Sequence, residues 1–403
     1  MKSKNSQVVV RMAPSPTGNL HIGTARTALY NYIFAKQNAG KFILRIDDTD
    51  KERSTKEFEK NILDGLSWLG LSHDEIFRQS DRTEIYVSYL KKMIENGTAY
   101  ISKEESKEEG QRDEVIRFKN PNKKIIFEDL VRGKVEFDTT DLGDFVIAKS
   151  SDEPLYHLAS VVDDIEMGIT HVIRGEDGIS NTPRQILLIE AMGATRPVYV
   201  HLPLILADDR AKLSKRKHGA SVWVDTYKDK GFLPQSIVNY LALPGWNPGT
   251  EQEIFTLEEL IKEFDISKIH KGGAIFDERK LDWVNKEHIK LLPIEEQKKI
   301  LIESIKDERY IVGEPSLDVD QIAWRKSTKE DALRHLEEAK RIIESDGDLM
   351  AYAEREGKGD VLWPVRYALT GASASPDPFV ILEILGKEKS LERLESAIAI
   401  LKR

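Results

Sequence analysis

The residues best able to do chemistry stand in two short stretches. In the first, PSPTGNLHIGTART, a Pro/Gly turn follows the apolar run VVV, and His21 and Gly23 come where a helix would begin. A helix N-terminus there offers free N–H groups and partial positive charge suited to a phosphate. Gly23 would let a flat base or a ribose approach the backbone, and His21 could donate a hydrogen bond to a phosphate as charge builds on it in a transition state. The same tetrapeptide also reads as a plain strand-to-helix turn with a surface histidine. In the second stretch, ADDRAKLSKRKHGAS, five cations (Arg210, Lys212, Lys215, Arg216 and Lys217) fall within eight residues. Such a run is ordinarily a solvated surface, yet ammonium groups on a loop of small residues also neutralise a triphosphate and its departing pyrophosphate. Together the two stretches point to nucleotide chemistry more specifically than either does alone.

Positioning them requires a sheet. VVVRMAPSPTG predicts a short buried strand ending in a turn, and a helix is expected from about His21 to Asn38, with Ala25, Leu29, Tyr32 and Ile33 on one face and Gly40 as its stop. KFILRID then supplies a second strand, which makes a right-handed βαβ unit. DRTEIYVSYLKKMIENG predicts an amphipathic helix with a capping box from Asp81 to Glu84 and a stop at Gly97. The charged run from Ser102 to Glu114 is expected as a solvated loop or short helix, and RFKNPNKKIIFEDLVRGKVEF as short strands, so this region reads as an inserted module. The α/β pattern resumes in LYHLASVVDDIEMGITHVIRGED and PVYVHLPLILADD. From Phe255 onward TLEELIKEF, KEDALRHLEEAKRIIE and SLERLESAIAILKR have helical spacing. Arg11 and Arg174 each end an apolar strand, where a structural ion pair is common; Tyr156 would ordinarily be core, and Asp163 and Asp164 are expected to brace the fold rather than hold a metal.

Composition limits the alternatives. With 403 residues the chain has room for two to four domains. No apolar run approaches a membrane span, and MKSKNSQ lacks the apolar core of a signal peptide, so a cytoplasmic protein with no membrane partner is expected. Cysteine is absent, which excludes disulfides and cysteine-ligated zinc. A net charge of −9 argues against indiscriminate coating of nucleic acid but leaves room for a locally basic groove.

PSPTGNLHIGTART followed by KLSKR resembles the paired HIGH and KMSKS signatures of class I aminoacyl-tRNA synthetases, and SPTG is similar to the glutamyl branch of bacterial type. RIDDTDKERS, VVDDIEMGITHVIRGEDGISNTPRQ, SKRKHGASV, FLPQSIVNYLALPGWNPG and WPVRYALTG resemble family segments in the family's order, so the likeness covers nearly the whole chain. It implies an α/β multidomain protein: a Rossmann-type catalytic domain in two parts (1–86 and 151–246), an acceptor-end-binding insertion (87–150), a stem-contact domain (247–312) and a shortened helical anticodon-binding domain (313–403). The implied activity is ATP-dependent activation of L-glutamate to glutamyl-adenylate and its transfer to the terminal 2′-hydroxyl of tRNA(Glu). Magnesium arrives with ATP, no structural zinc is expected, and the family implies a monomer. Carried over residue by residue, His21, Gly23, Lys212, Lys215 and Asp177 would meet ATP, with His21 and Lys215 catalytic. Arg11, Ser15, Asp47, Tyr156, Ser160 and Arg174 would meet glutamate. Two departures stand out: the insertion reads AYISKEESKEE where many relatives place zinc cysteines, and the segment before WPVRYALTG is compressed. The resemblance leaves open whether tRNA(Gln) is charged as well as tRNA(Glu). Intact HIGT and KLSKR weigh against a non-enzymatic RNA-binding derivative, and the helical tail weighs against a glutamyl-queuosine-type enzyme. SPTG with that same tail weighs against a glutaminyl-tRNA synthetase.

Overall fold

The computed structural model describes residues 7–104, 114–214, 217, 219–305, 309–325 and 327–402. The expected loop or short helix after Ser102 therefore lies mostly outside the described residues. The chain forms two compact units, Met1–Ile289 and Lys290–Arg403.

In the first unit β1 (Val9–Met12), β2 (Lys41–Ile46) and β3 (Glu75–Arg78) form a parallel sheet in that order, linked by α1 (Ile22–Gln37) and α2 (Lys56–Trp68). These strands are short and apolar because helices cover them: Val10, Phe42, Leu44 and Ile46 are wholly buried. Helix α1 is buried on most of its circumference, through Ile22, Ala25, Ala28, Leu29 and Ile33, since it lies between the sheet and the helix Pro234–Ala242. Helix α3 (Thr83–Glu95) follows a single 3₁₀ turn. The capping box expected from Asp81 to Glu84 does not form. Instead Gln79, Arg82 and Tyr86 all reach the buried carboxylate of Asp163, at 2.9, 2.7 and 2.9 Å, which tightens the turn and sets the helix start at Thr83 with no side-chain cap.

The inserted strands β4 (Ala99–Lys103), β5 (Glu114–Phe118), β8 (Phe145–Ser150) and β9 (Glu153–Pro154) form an antiparallel sheet, whereas β6 (Lys124–Asp129) and β7 (Gly133–Asp138) form a hairpin. That hairpin does not stay apart from the catalytic fold. After α4 (Tyr156–Glu166), β10 (His171–Gly175) and α5 (Thr182–Ala191), strand β11 (Val198–Leu202) pairs in parallel with β10 on one side and with the end of β6 on the other, Tyr199 facing Asp129. Thr170, just before β10, ties that strand to β1: its amide donates to the Val9 carbonyl at 2.9 Å and its Oγ1 accepts the Val9 amide at 2.9 Å. Strand β1 therefore has β2 on one side and β10 on the other. This is the switch point of a doubly wound sheet, where open α/β folds bind their ligands at the carboxyl ends of the strands.

The second unit is helical. Its core gathers Leu336 and Ala339 of the helix Lys329–Glu344, Val361 and Val365 of Lys358–Thr370, and Ile381 and Leu394 of Pro378–Leu401. A capping box between Thr328 and Asp331 starts the first of these, and Gly386, at φ 72°, kinks the last. Among the described residues no helix is long and apolar enough to cross a membrane.

Candidate active site

A cleft of about 570 Å³ opens in the first unit beyond the carboxyl ends of β1 and β10. Arg11, Ser15, His21, Gly23, Asp47, Tyr156, Arg174, Asp177 and Lys212 all line it, although up to 201 residues of chain separate them. Tyr156 is not core: it begins α4 at the cleft and is 42% exposed. Ser160 lies one turn further along α4, buried behind the wall, where its Oγ accepts from Arg45 Nη2 at 3.2 Å. Lys215 lies outside the described residues.

One end of the cleft is built on α1. His21 is the N-cap of this helix, and its Nδ1 accepts the Gly23 amide at 2.9 Å. That bond requires Nδ1 to be unprotonated, so the neutral ring carries its proton on Nε2 and can donate from there. Burial, with a smaller contribution from Lys212, lowers the His21 pKa to about 4, so the ring is neutral near pH 7. A Cβ at Gly23 would come 3.3 Å from His21 Nδ1, so glycine here is also what leaves room for the imidazole to cap. Across the cleft Lys212 Nζ and Asp177 Oδ2 meet at 2.6 Å. Both side chains are more than half exposed, at 54% and 59%, so the pair is weakly held and opens easily.

The other end is a guanidinium cluster with unequal partners. Arg45, almost wholly buried, holds Asp47 through Nε and Nη2, at 2.6 and 3.1 Å, and Asp164 through Nη1, at 2.7 Å. Arg11 donates from Nε and Nη2 to the two oxygens of Asp164 at 3.1 and 3.4 Å. Burial pushes the Asp164 carboxyl up, but Arg11 and Arg45 outweigh it and hold the group below the usual carboxylate range. Asp163 and Asp164 are thus braces, as their sequence pattern implied. Arg174 differs. It donates from Nε to His201 Nε2 at 3.1 Å and from Nη2 to the Gly178 carbonyl and Thr182 Oγ1 at 3.0 and 2.8 Å, and among the described residues it makes no ion pair. Burial pushes this guanidinium's pKa down. A desolvated cation with only neutral partners is suited to receive an anion from solution.

One end of the cleft thus offers a helix N-terminus with a neutral imidazole donor, and the other an arginine that has no carboxylate partner among the described residues. The profile described as "tRNA synthetases class I (E and Q), catalytic domain" matches residues 7–109 and 101–283, and "Anticodon binding domain" matches 282–398. The chain belongs to the glutamate–tRNA ligase family of class I synthetases. A glutamate–tRNA ligase of Carboxydothermus hydrogenoformans is 40% identical over 478 aligned positions, covering 96% of this chain and 99% of that protein. The corresponding protein of Aquifex aeolicus is 46% identical over 326 positions, covering 72% of this chain and 68% of that one. A crystal structure of a glutamate tRNA ligase from Elizabethkingia meningosepticum, in complex with its amino acid, superposes with a TM-score of 0.80 at 32% identity, covering 98% of this chain and 100% of that one. The match to an anticodon-binding domain separates the chain from the rival that ends before one.

Within this family setting, sequence reasoning missed Arg45, Asp129, Thr182 and His201. Arg45 had a signal, since it directly precedes the IDD of RIDDTD. The link between His201 and Asp129 had none: a lone histidine within a strand finds its partner 72 residues upstream, in the inserted module.

Proposed function

We propose that the chain attaches L-glutamate to tRNA(Glu) in two steps, both in this cleft. In the first, the α-carboxylate of glutamate attacks the α-phosphate of ATP, giving glutamyl-adenylate and pyrophosphate. In the second, the terminal adenosine's 2′-hydroxyl attacks the mixed anhydride and releases AMP. Arg174 and Arg11 hold the substrate's carboxylates, with Ser15 and Tyr156 beside them and Ser160 acting through Arg45. Asp47 faces the α-ammonium; both its oxygens already accept from Arg45, so a remaining lone pair or a bridging water makes that contact. His21 donates from Nε2 to the phosphates, Gly23 lets the nucleotide approach, and Asp177 and Lys212 part to take ribose and phosphate. Lys215 neutralises the departing pyrophosphate. Positioning and electrostatics carry the rate, with no general base required. Magnesium enters bound to the phosphates of ATP; among the described residues no group of three or more histidine, aspartate or glutamate side chains is arranged to hold a metal ion.

The five-part division at 86, 150, 246 and 312 is retained as the functional layout, with the 87–150 insertion meeting the acceptor end and the helical tail reading RNA by shape and by exposed bases. The enzyme works in the cytoplasm as a monomer. tRNA(Glu) is its substrate, and charging of purified tRNA(Gln) decides whether that tRNA is accepted too.

The observation that carries this reading is Arg174, a desolvated guanidinium at the strand ends without an ion-pair partner among the described residues. Glutamate-dependent ATP–pyrophosphate exchange tests it. Exchange is expected only when tRNA is present; exchange without tRNA, or none under any condition, overturns the reading. Lys215→Ala is expected to lower activation by roughly 100-fold with unfolding unchanged, and full activity in that variant would remove the loop assignment.

A further inference from the structure

We propose that Asp129 and His201 are positioning residues for glutamate recognition: they form a buried relay from the β6–β7 hairpin to Arg174 and fix the edge that its guanidinium presents to the cleft. The proposal rests on the reading of Arg174 as a holder of substrate carboxylate.

Donor and acceptor chemistry assigns every proton along the relay. Arg174 Nε can only donate, so His201 Nε2, at 3.1 Å, must accept. The ring proton is then on Nδ1, which donates to Asp129 Oδ2 at 2.6 Å. Both the His201 and Asp129 side chains are 0% exposed, so water cannot substitute for either partner. Asp129 itself cannot swing away, because its carboxylate also accepts the amides of Val131, Arg132 and His201 at 3.0, 2.8 and 3.1 Å. Register completes the alignment: Arg174 and His201 are direct neighbours across β10 and β11, and the end of β6 lies against β11. With Nε given to His201 and Nη2 to Gly178 and Thr182, Nη1 is the nitrogen of Arg174 that makes no hydrogen bond among the described residues.

The order of groups in the relay has a chemical reason. A carboxylate in direct contact would orient Arg174 but also offset its charge, as Asp164, shared with Arg45, does in part for Arg11. Placing a neutral imidazole between Asp129 and Arg174 transmits the orientation and leaves the positive charge to the substrate. The same hairpin turn braces the cleft a second time, since Arg132 pairs with Glu176, which accepts the Leu204 amide at 3.0 Å in the cleft wall.

The test measures steady-state charging of tRNA(Glu) by the full chain, varying L-glutamate and ATP separately. His201→Asn keeps a donor toward Asp129 but loses the acceptor at Nε2, and it is expected to raise the glutamate KM about tenfold with the ATP KM within about twofold. His201→Gln, whose Oε1 can reach Arg174, is expected to recover most of that loss, a rescue that a merely structural role would not give. An unchanged glutamate KM in His201→Asn, or an equal rise in both KM values, overturns the relay. If His201→Asn does not fold, Thr182→Val, which removes both an acceptor from Arg174 and the hydroxyl 3.2 Å from His201 Nε2, is read by the same split. Arg174→Gln serves as the separate arm. If that variant leaves the glutamate KM unchanged, it is the reading of Arg174 that fails, whatever the His201 variants do.

Discussion

His21 Nδ1 accepts the Gly23 amide at 2.9 Å, so the side chain proposed to meet phosphate also caps the helix whose N-terminus faces the cleft. The cap fixes the tautomer. With Nδ1 occupied as an acceptor, the neutral ring has its proton on Nε2, and a phosphate oxygen is a better partner for that donor than water once the cleft is filled.

A pH dependence follows from this geometry. Burial, and then Lys212, lowers the His21 pKa to about 4, whereas an unfolded histidine titrates near 6.5. The unfolded chain therefore takes up the proton first, and the contribution of His21 to stability is complete above about pH 6.5 and is lost as pH falls from there towards 4. Urea unfolding at pH 7 and pH 5 measures the loss. His21→Asn keeps an N-cap but removes the titration, so it is expected to lose less stability over that interval while activation falls by about 100-fold. An unaltered pH dependence in this variant would contradict the assignment.

Gly23→Ala separates helix propensity from capping geometry. Alanine in the first turn of a helix favours folding by up to about 1 kcal/mol over glycine. The new Cβ, however, would come 3.3 Å from His21 Nδ1, tighter than ordinary contact, and the imidazole has to move. Expected is a thermal midpoint within a few degrees of the parent, with the ATP KM raised about tenfold or more. A variant with normal ATP kinetics would show that the position of the His21 ring is not critical.

How much of this was legible beforehand depended on sequence distance. β1, α1 and β2 could be read from local pattern, because a short apolar run, a turn and a helical stripe each leave their signature within a few residues. Of the nine predicted residues that line the cleft, His21, Gly23 and Lys212 could be named from their place at a helix start and in a cation run, whereas the other six were named through the family resemblance. What stayed hidden was set by non-local partners. The 3₁₀ turn before α3 could not be seen because Asp163, which draws in Gln79, Arg82 and Tyr86, is up to 84 residues away. Ser160 lies behind the cleft wall, and no local pattern could show that Arg45 would stand between it and the cleft.

Asp163 makes that hidden brace measurable. Its side chain is 0% exposed and accepts from Gln79, Arg82 and Tyr86, and Arg45 Nε lies 3.6 Å away. Asparagine at this position keeps the size but removes the charge that compensates two arginines. The expected cost is about 3 kcal/mol of unfolding free energy, within the usual range for breaking a buried pair. Equilibrium denaturation of Asp163→Asn, with an unchanged slope against denaturant, is the check; a loss below about 1 kcal/mol would show that the cluster rearranges around the missing charge.

The Lys212–Asp177 pair should behave in the opposite way. Its two side chains meet at 2.6 Å but are more than half exposed, so solvent screens the attraction and stability gains less than about 1 kcal/mol from it. Function is where the pair should matter, because in the proposed reaction each partner leaves the other to meet ATP. Lys212→Ala removes a cation from the phosphate site and frees Asp177, which then adds an unpaired negative charge beside the triphosphate. The ATP KM is expected to rise about tenfold or more, with the glutamate KM and thermal midpoint nearly unchanged. Asp177→Asn releases Lys212 without that repulsion and should raise the ATP KM less. If both variants raise it equally, the pair acts as one unit; if the double variant is no worse than Lys212→Ala, Asp177 makes no contact of its own with the nucleotide.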